Sequence, residues 1–87
     1  PATALIVAIR ADGELWMDRQ PVDIRNLRAE IERLRGEKPD IAVIVQADRD
    51  ANVGGLVQVM DQIRQAGIKD ISVAADNSPA SSTGPGN

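Results

Sequence analysis

Ile41-Ala42-Val43-Ile44-Val45 is apolar at every position and rich in β-branched residues. A short run of this kind, with no polar alternation, predicts a strand covered on both faces and therefore placed centrally in a sheet. On its C-terminal side Asp48 to Asn52 reads as a polar loop. Leu56, Val57, Met60 and Ile63 then recur at helical spacing, with Asn52 able to cap the start and Gly67 to close the end. Ile71 to Ala75 supplies the last strand. On the N-terminal side, Ile24, Leu27, Ile31 and Leu34 mark an earlier helix over roughly residues 23 to 35, with Asp23 as its cap and Gly36 as its terminator. Before it, Leu5 to Ile9 and Leu15 to Met17 flank Ala11-Asp12-Gly13-Glu14, a turn signal that joins them as a β-hairpin.

A strand, helix and strand in this order form a parallel, right-handed crossover, so the chain reads ββαβαβ. Two such crossovers stepping the same way along a sheet put both helices on one face. The expected fold is α/β, an α+β-like two-layer sandwich with a mixed sheet. Strand parity assigns Leu5, Val7, Ile9, Ile41, Val43, Val45, Ile71 and Val73 to the face under the helices. The other parity carries Ile6, Ala8, Ala42, Ile44, Ser72 and Ala74. That second set is small and largely apolar, which suits a face covered by a second copy or a partner. Residues 1–76 form one domain, and residues 77–87, without a large apolar side chain, form an expected disordered tail.

Composition narrows the function. Among 87 residues there is no Cys and no His, which removes thiol nucleophiles, disulfides, imidazole bases and most transition-metal sites. A net charge of −3 argues against nucleic acid as a partner, since a phosphate footprint needs clustered Lys and Arg. No apolar run approaches the roughly 20 residues of a membrane-spanning helix. The chain starts at Pro1 without an initiator Met or a basic leader, and is expected to be a segment of a longer protein.

The polar motifs have plain structural accounts. Asp48-Arg49-Asp50 sits where a central parallel strand ends, and two carboxylates there could hold Mg²⁺. A solvated loop whose side chains satisfy free amides at the next helix start is favoured. Asn52-Val53-Gly54-Gly55 lacks the patterns of a phosphate cradle, and its glycines are expected to let the helix start approach the sheet. Arg25, Arg28, Arg33 and Arg35 share a helix with Glu30 and Glu32 at ion-pair spacing, which reads as a charge-balanced solvated face. Trp16, the one aromatic, suits packing or a partner contact equally. Hydroxyl residues gather in the tail, so no nucleophile stands beside a base. No catalytic residue, metal ligand or cofactor site is expected.

Asp12-Gly13-Glu14-Leu15-Trp16-Met17-Asp18, Val45-Gln46-Ala47-Asp48, and Val57-Gln58-Val59-Met60-Asp61 through Ala66-Gly67-Ile68 resemble, in that order, the ExbD/TolR family of biopolymer transport proteins. The resemblance runs from about Thr3 to Ala75 and implies the periplasmic domain of a single-pass inner-membrane protein. Such a domain would work with a proton-channel partner and a TonB-like or TolA-like energy transducer in outer-membrane nutrient import. The alternative is a peptidoglycan-binding module of the TolR branch. The family's proton-carrying Asp lies in the transmembrane helix, so none of Asp12, Asp48 or Asp61 inherits that role. Val53 departs from the aromatic, and Trp16 from the Tyr or apolar residue, of many relatives, which touches packing more than mechanism.

The expected output is contact. An exposed strand edge offers unpaired amide and carbonyl groups, so an extended transducer segment could add to the sheet. Ile71, Ser72, Val73, Ala74 and Ala75 form the expected edge strand for that partner. Ile6, Ala8, Trp16 and Ile44 form the expected dimer or partner face, with exchange of the Leu5 to Ile9 strand between copies of a homodimer as an option.

Overall fold

The computed structural model describes residues 4–76 of the chain. The order of elements is β1 (Ala4–Ile9), β2 (Leu15–Met17), β3 (Gln20–Val22), α1 (Ile24–Glu37), β4 (Ala42–Asp48), α2 (Val53–Gln65) and β5 (Ile71–Asp76). They build one five-stranded sheet in the order β3-β2-β1-β4-β5. β1, β4 and β5 run parallel, and the β1–β2–β3 meander is antiparallel. The fold is the mixed α/β arrangement expected from the sequence, with one strand more.

That extra strand, β3, follows a two-residue turn in which Asp18 and Arg19 both take left-handed backbone, at φ 54° and 73°. Positive φ at both central residues is the type I′ geometry that matches the twist of a hairpin. Neither residue is glycine, and Pro21 lies in the strand, so the usual hairpin signals are missing. Pro21 is tolerated because β3 is an edge strand, where a missing amide costs no rung of the ladder.

Alternate strand residues point to the helices and are buried: Leu5, Val7, Ile9, Leu15, Val43, Val45 and Ala47. They meet Leu27 and Ile31 of α1 and Val59 and Ile63 of α2 in one core. Burying each large aliphatic side chain of this kind contributes about 1.5–3 kcal/mol. Both helices therefore cover one face, and they touch each other, Arg28 Nη1 donating to Gln65 Oε1 at 3.2 Å.

Several expectations are corrected. The expected central position of β4 is found, between β1 and β5; its expected cover is not. β4 is not buried on both faces: Val43 and Val45 are fully buried, whereas Ala42 and Ile44 are half-buried and Gln46 is exposed. With helices on one side only, its other face has none of the described residues above it. Asp48 ends the strand instead of opening the loop. The buried stripe of α2 is Leu56, Val59, Met60 and Ile63, and Val57 points outward. Val73 is 48% exposed because β5 lies at the edge, beyond the cover of α2. Gly36 lies inside α1, which ends at Glu37 with the Lys38 N–H bonded to the Leu34 carbonyl; Pro39 then prevents continuation.

The expected caps are in place. Asp23 accepts from the Arg25 N–H, and Asn52 from those of Gly54 and Gly55. Gly67 takes φ +91° just past α2, where a side chain would also collide with the Arg35 guanidinium, 3.1 Å from the ideal Cβ position. The expected tail, 77–87, lies outside the described residues.

Candidate functional site

Two surfaces stand out, one along the β5 edge and one on the open face. Among the described residues β5 pairs with β4 on one side and with no strand on the other. Beside it runs α2, which packs under β4 and whose residues at i, i+4 spacing present Val53 and Val57 to the same side of the helix. Val53 is 72%, Val57 60% and Val73 48% exposed, and they make up three of the four strongly exposed large hydrophobics among the described residues. Val57 and Val73 line one cleft, and their exposure together beside the strand edge sets the surface apart from scattered apolar exposure. A cleft of about 430 Å³ lies between helix and strand, lined by Leu56, Val57, Met60, Val73, Asp61 and Arg64. Backbone donors and acceptors on the strand, and apolar sockets beside it, are what an added strand requires.

The open face is ordered by the register. Ile6 stands opposite Ile44, and Ile44 opposite Ser72. In the next row Pro21, Trp16, Ala8, Gln46 and Ala74 lie side by side across all the strands. Of the expected dimer face, Ile6 is 43% exposed, and Ala8, Trp16 and Ile44 are half-buried. All four are on this face, Ile6 beside Ile44 and Ala8 beside Trp16. The Trp16 Nε1–H donates to Glu14 Oε1 at 2.6 Å, and the Arg10 guanidinium stands 5.6 Å from the ring centroid. Beyond Ala8 and Gln46, at the C-terminal ends of the parallel strands, a second cleft of about 710 Å³ opens between Arg10, Asp12, Gln46 and Asp48 over a floor of alanines.

The motifs weighed from sequence resolve as follows. Asp48 Oδ1 accepts from the Asp50 N–H at 2.9 Å, and the described residues hold no cluster of three metal-ligating side chains. The amides of Gly54 and Gly55 are taken by Asn52 Oδ1, at 2.7 and 3.4 Å, so they are not free to cradle an anion. The expected close approach of these glycines to the sheet is not found. A Cβ on Gly55 would meet open space, and one on Gly54 would meet only the capping oxygen at 3.0 Å. The arginine-rich face of α1 is solvated and paired, Arg33 with Glu30 at 2.9 Å and with Glu37 at 3.5 Å, and Arg28 with Glu32 at 3.9 Å. The guanidinium of Arg25, through its hydrogen bonds and then its backbone N–H, holds the Asp23 carboxyl below its ordinary range.

Sequence reasoning missed Val53, Arg10 and Gln46. Val53 sits in the first turn of α2, four residues from Val57, and that spacing was the available signal. Gln46 is the polar member of an otherwise small apolar row, which parity alone shows.

Among the described residues this two-layer α/β module presents a strand edge, apolar sockets and a few surface charges. The chain matches the family model described as biopolymer transport protein ExbD/TolR over residues 1–78. It is 38% identical over 72 residues to the biopolymer transport protein exbD2 of Vibrio cholerae serotype O1, an alignment covering 83% of this chain and 54% of that relative. The chain belongs to the ExbD/TolR family of biopolymer transport proteins. It spans about half the length of the curated relative it matches. No helix among the described residues is long and apolar enough to cross a membrane.

Proposed function

We propose that this chain is the periplasmic contact module of a proton-driven inner-membrane complex, passing the state of that complex to a TonB-like or TolA-like transducer in outer-membrane nutrient import. The observation that carries this reading is the β5 edge, unpaired among the described residues, with Val57 and Val73 exposed along one cleft beside it. An extended transducer segment lies along β5, its backbone completing the ladder and its alternate apolar side chains entering the cleft over Leu56 and Met60. The module turns over no metabolite and holds no cofactor; its output is the partner it holds. The proton-channel partner is engaged through a membrane segment of the whole protein. The module acts as a homodimer, with copies meeting over Ile6 and Ile44, because an uncharged face of this kind is otherwise left in water.

The test is an amide-shift titration of the purified chain with peptides from the transducer's periplasmic region. Shifts are expected along Ile71–Ala74 and the outward side of α2. Replacement of Val73 with Lys, a charge that natural edge strands use to block pairing, should abolish them with the fold intact. Shifts confined to other elements would sink the edge reading. Co-sedimentation with cell-wall sacculi in the absence of any peptide response would favour the peptidoglycan-binding reading instead.

A further inference from the structure

Arg10 and Asp48, of opposite charge, line one cleft at the C-terminal ends of β1 and β4 and do not pair. Ile9 and Ala47 form the last rung between β1 and β4, strands about 4.8 Å apart, and Arg10, the first residue past β1, lines the same cleft as Asp48, the last residue of β4. Side chains so placed would ordinarily meet. Here each is drawn away by a local partner. Asp48 turns to its own loop and accepts from the Asp50 N–H. Arg10 turns to the other side and stands over the Trp16 ring, itself tied to Glu14. Among the described residues Arg10 makes no ion pair within 4.0 Å.

The result is a gap with a cation on one wall and an anion on the other. Its floor is made shallow by Ala8 and Ala74, and the exposed side chain of Gln46 rises between them. An amide at that point offers a donor and an acceptor together. The loop that presents Arg10 is fixed by its own bonds, Gly13 N–H to the Arg10 carbonyl and Arg10 N–H to the Glu14 carbonyl, both at 2.9 Å. Gly13 takes φ +89°, which holds the turn in a form few side chains allow.

We propose that this gap binds a short zwitterion, a free amino acid or an unblocked peptide of two or three residues. The guanidinium of Arg10 takes its carboxylate, the Asp48 carboxylate its ammonium, and Gln46 the amide between them. A guanidinium fork suits a planar carboxylate better than any neutral group. The alanine floor limits the ligand to small side chains. The site borders both contact surfaces, sharing Ala8 with the Ile6 and Ile44 face and Ala74 with β5, but its ligand carries no transducer segment, so the small-peptide titration is read separately from the transducer titration.

The experiment titrates the full chain with glycine, diglycine and triglycine, reading the Gln46 side-chain amide and the Trp16 indole N–H by NMR. A saturable shift is expected below roughly 20 mM, the range that a few hydrogen bonds on an open surface support. One length should bind best, which measures the span of the gap. Its N-acetylated and its C-amidated forms should each bind about tenfold more weakly or worse, the size of a lost charge-assisted hydrogen bond. Arg10→Met, which keeps an apolar chain over Trp16, should mimic the effect of amidation. Asp48→Asn, which keeps an acceptor for the Asp50 N–H, should mimic acetylation. No saturable shift, or equal binding of the blocked and free forms to the unaltered chain, would overturn the proposal.

Discussion

At the scale of single residues, the two helix caps show how much a side chain of four heavy atoms decides. Asn52 Oδ1 answers two amides at the start of α2, and Gly54 leaves room for it, since a methyl group there would press on that same oxygen. Asn52→Ala should cost about 1 kcal/mol of unfolding free energy, measured by urea denaturation at neutral pH. Asp23 does the same work at α1 with a charge. Its folded carboxyl titrates below the ordinary value of 3.8, chiefly because the Arg25 guanidinium donates to it. A depressed folded pKa means stability that is complete well above pH 3.8 and lost as pH falls through the depressed value. Asp23→Asn should keep the cap while flattening that part of the acid limb, read by thermal melts from pH 5 to 2. Both caps were legible in the sequence because a cap is a local event, decided within three residues. The Asp18-Arg19 turn was not. Its left-handed backbone is imposed by the twist of the strands it joins, against the preference of both residues.

At the scale of elements, periodicity located both helices and four of the strands, and misjudged their surroundings. Val57 fits the spacing of an apolar stripe as well as Val59 does, but only contact with the sheet decides which is buried. Val59 is 1% exposed and Val57 60%. The uniform apolarity of Ile41–Val45 suggested cover on both faces, whereas one face is covered by helices and the other by none of the described residues. The two helices carry the stability unequally with the surface. Ile31 of α1 is fully buried in the core, so Ile31→Ala should destabilise by about 2–5 kcal/mol, seen as a lower urea midpoint with an unchanged slope. By contrast Val73→Lys, on a half-open edge, should shift stability by no more than about 0.5 kcal/mol while removing the partner response.

For the molecule as a whole, the parity of the strands did more than their number. Having both helices on one side follows from the direction of the crossovers and needs no knowledge of β3. The consequence is a sheet with a free face on which Ile6 and Ile44 sit together. Ile6→Glu should leave the monomer folded, because Ile6 is 43% exposed, and should raise the dimer dissociation constant at least about tenfold if two copies meet there. Sedimentation equilibrium of the two chains decides it, and equal association would move the contact elsewhere. The β5 edge could be read from topology alone. The gap between Arg10 and Asp48 could not, because it depends on register and on where each side chain finds its local partner.

The parallel run of β1, β4 and β5 also fixes how the module responds to being pulled. Ala4 opens β1 at one end of the sheet, and Asp76 closes β5 at the opposite end. Tension between those two points runs along the strands, so the slanted rungs joining β1 to β4 and β4 to β5 are loaded in shear, many at once. A pull across the β5 edge opens them singly, like a zip. The same domain is thus stiff along its strands and weak at its side.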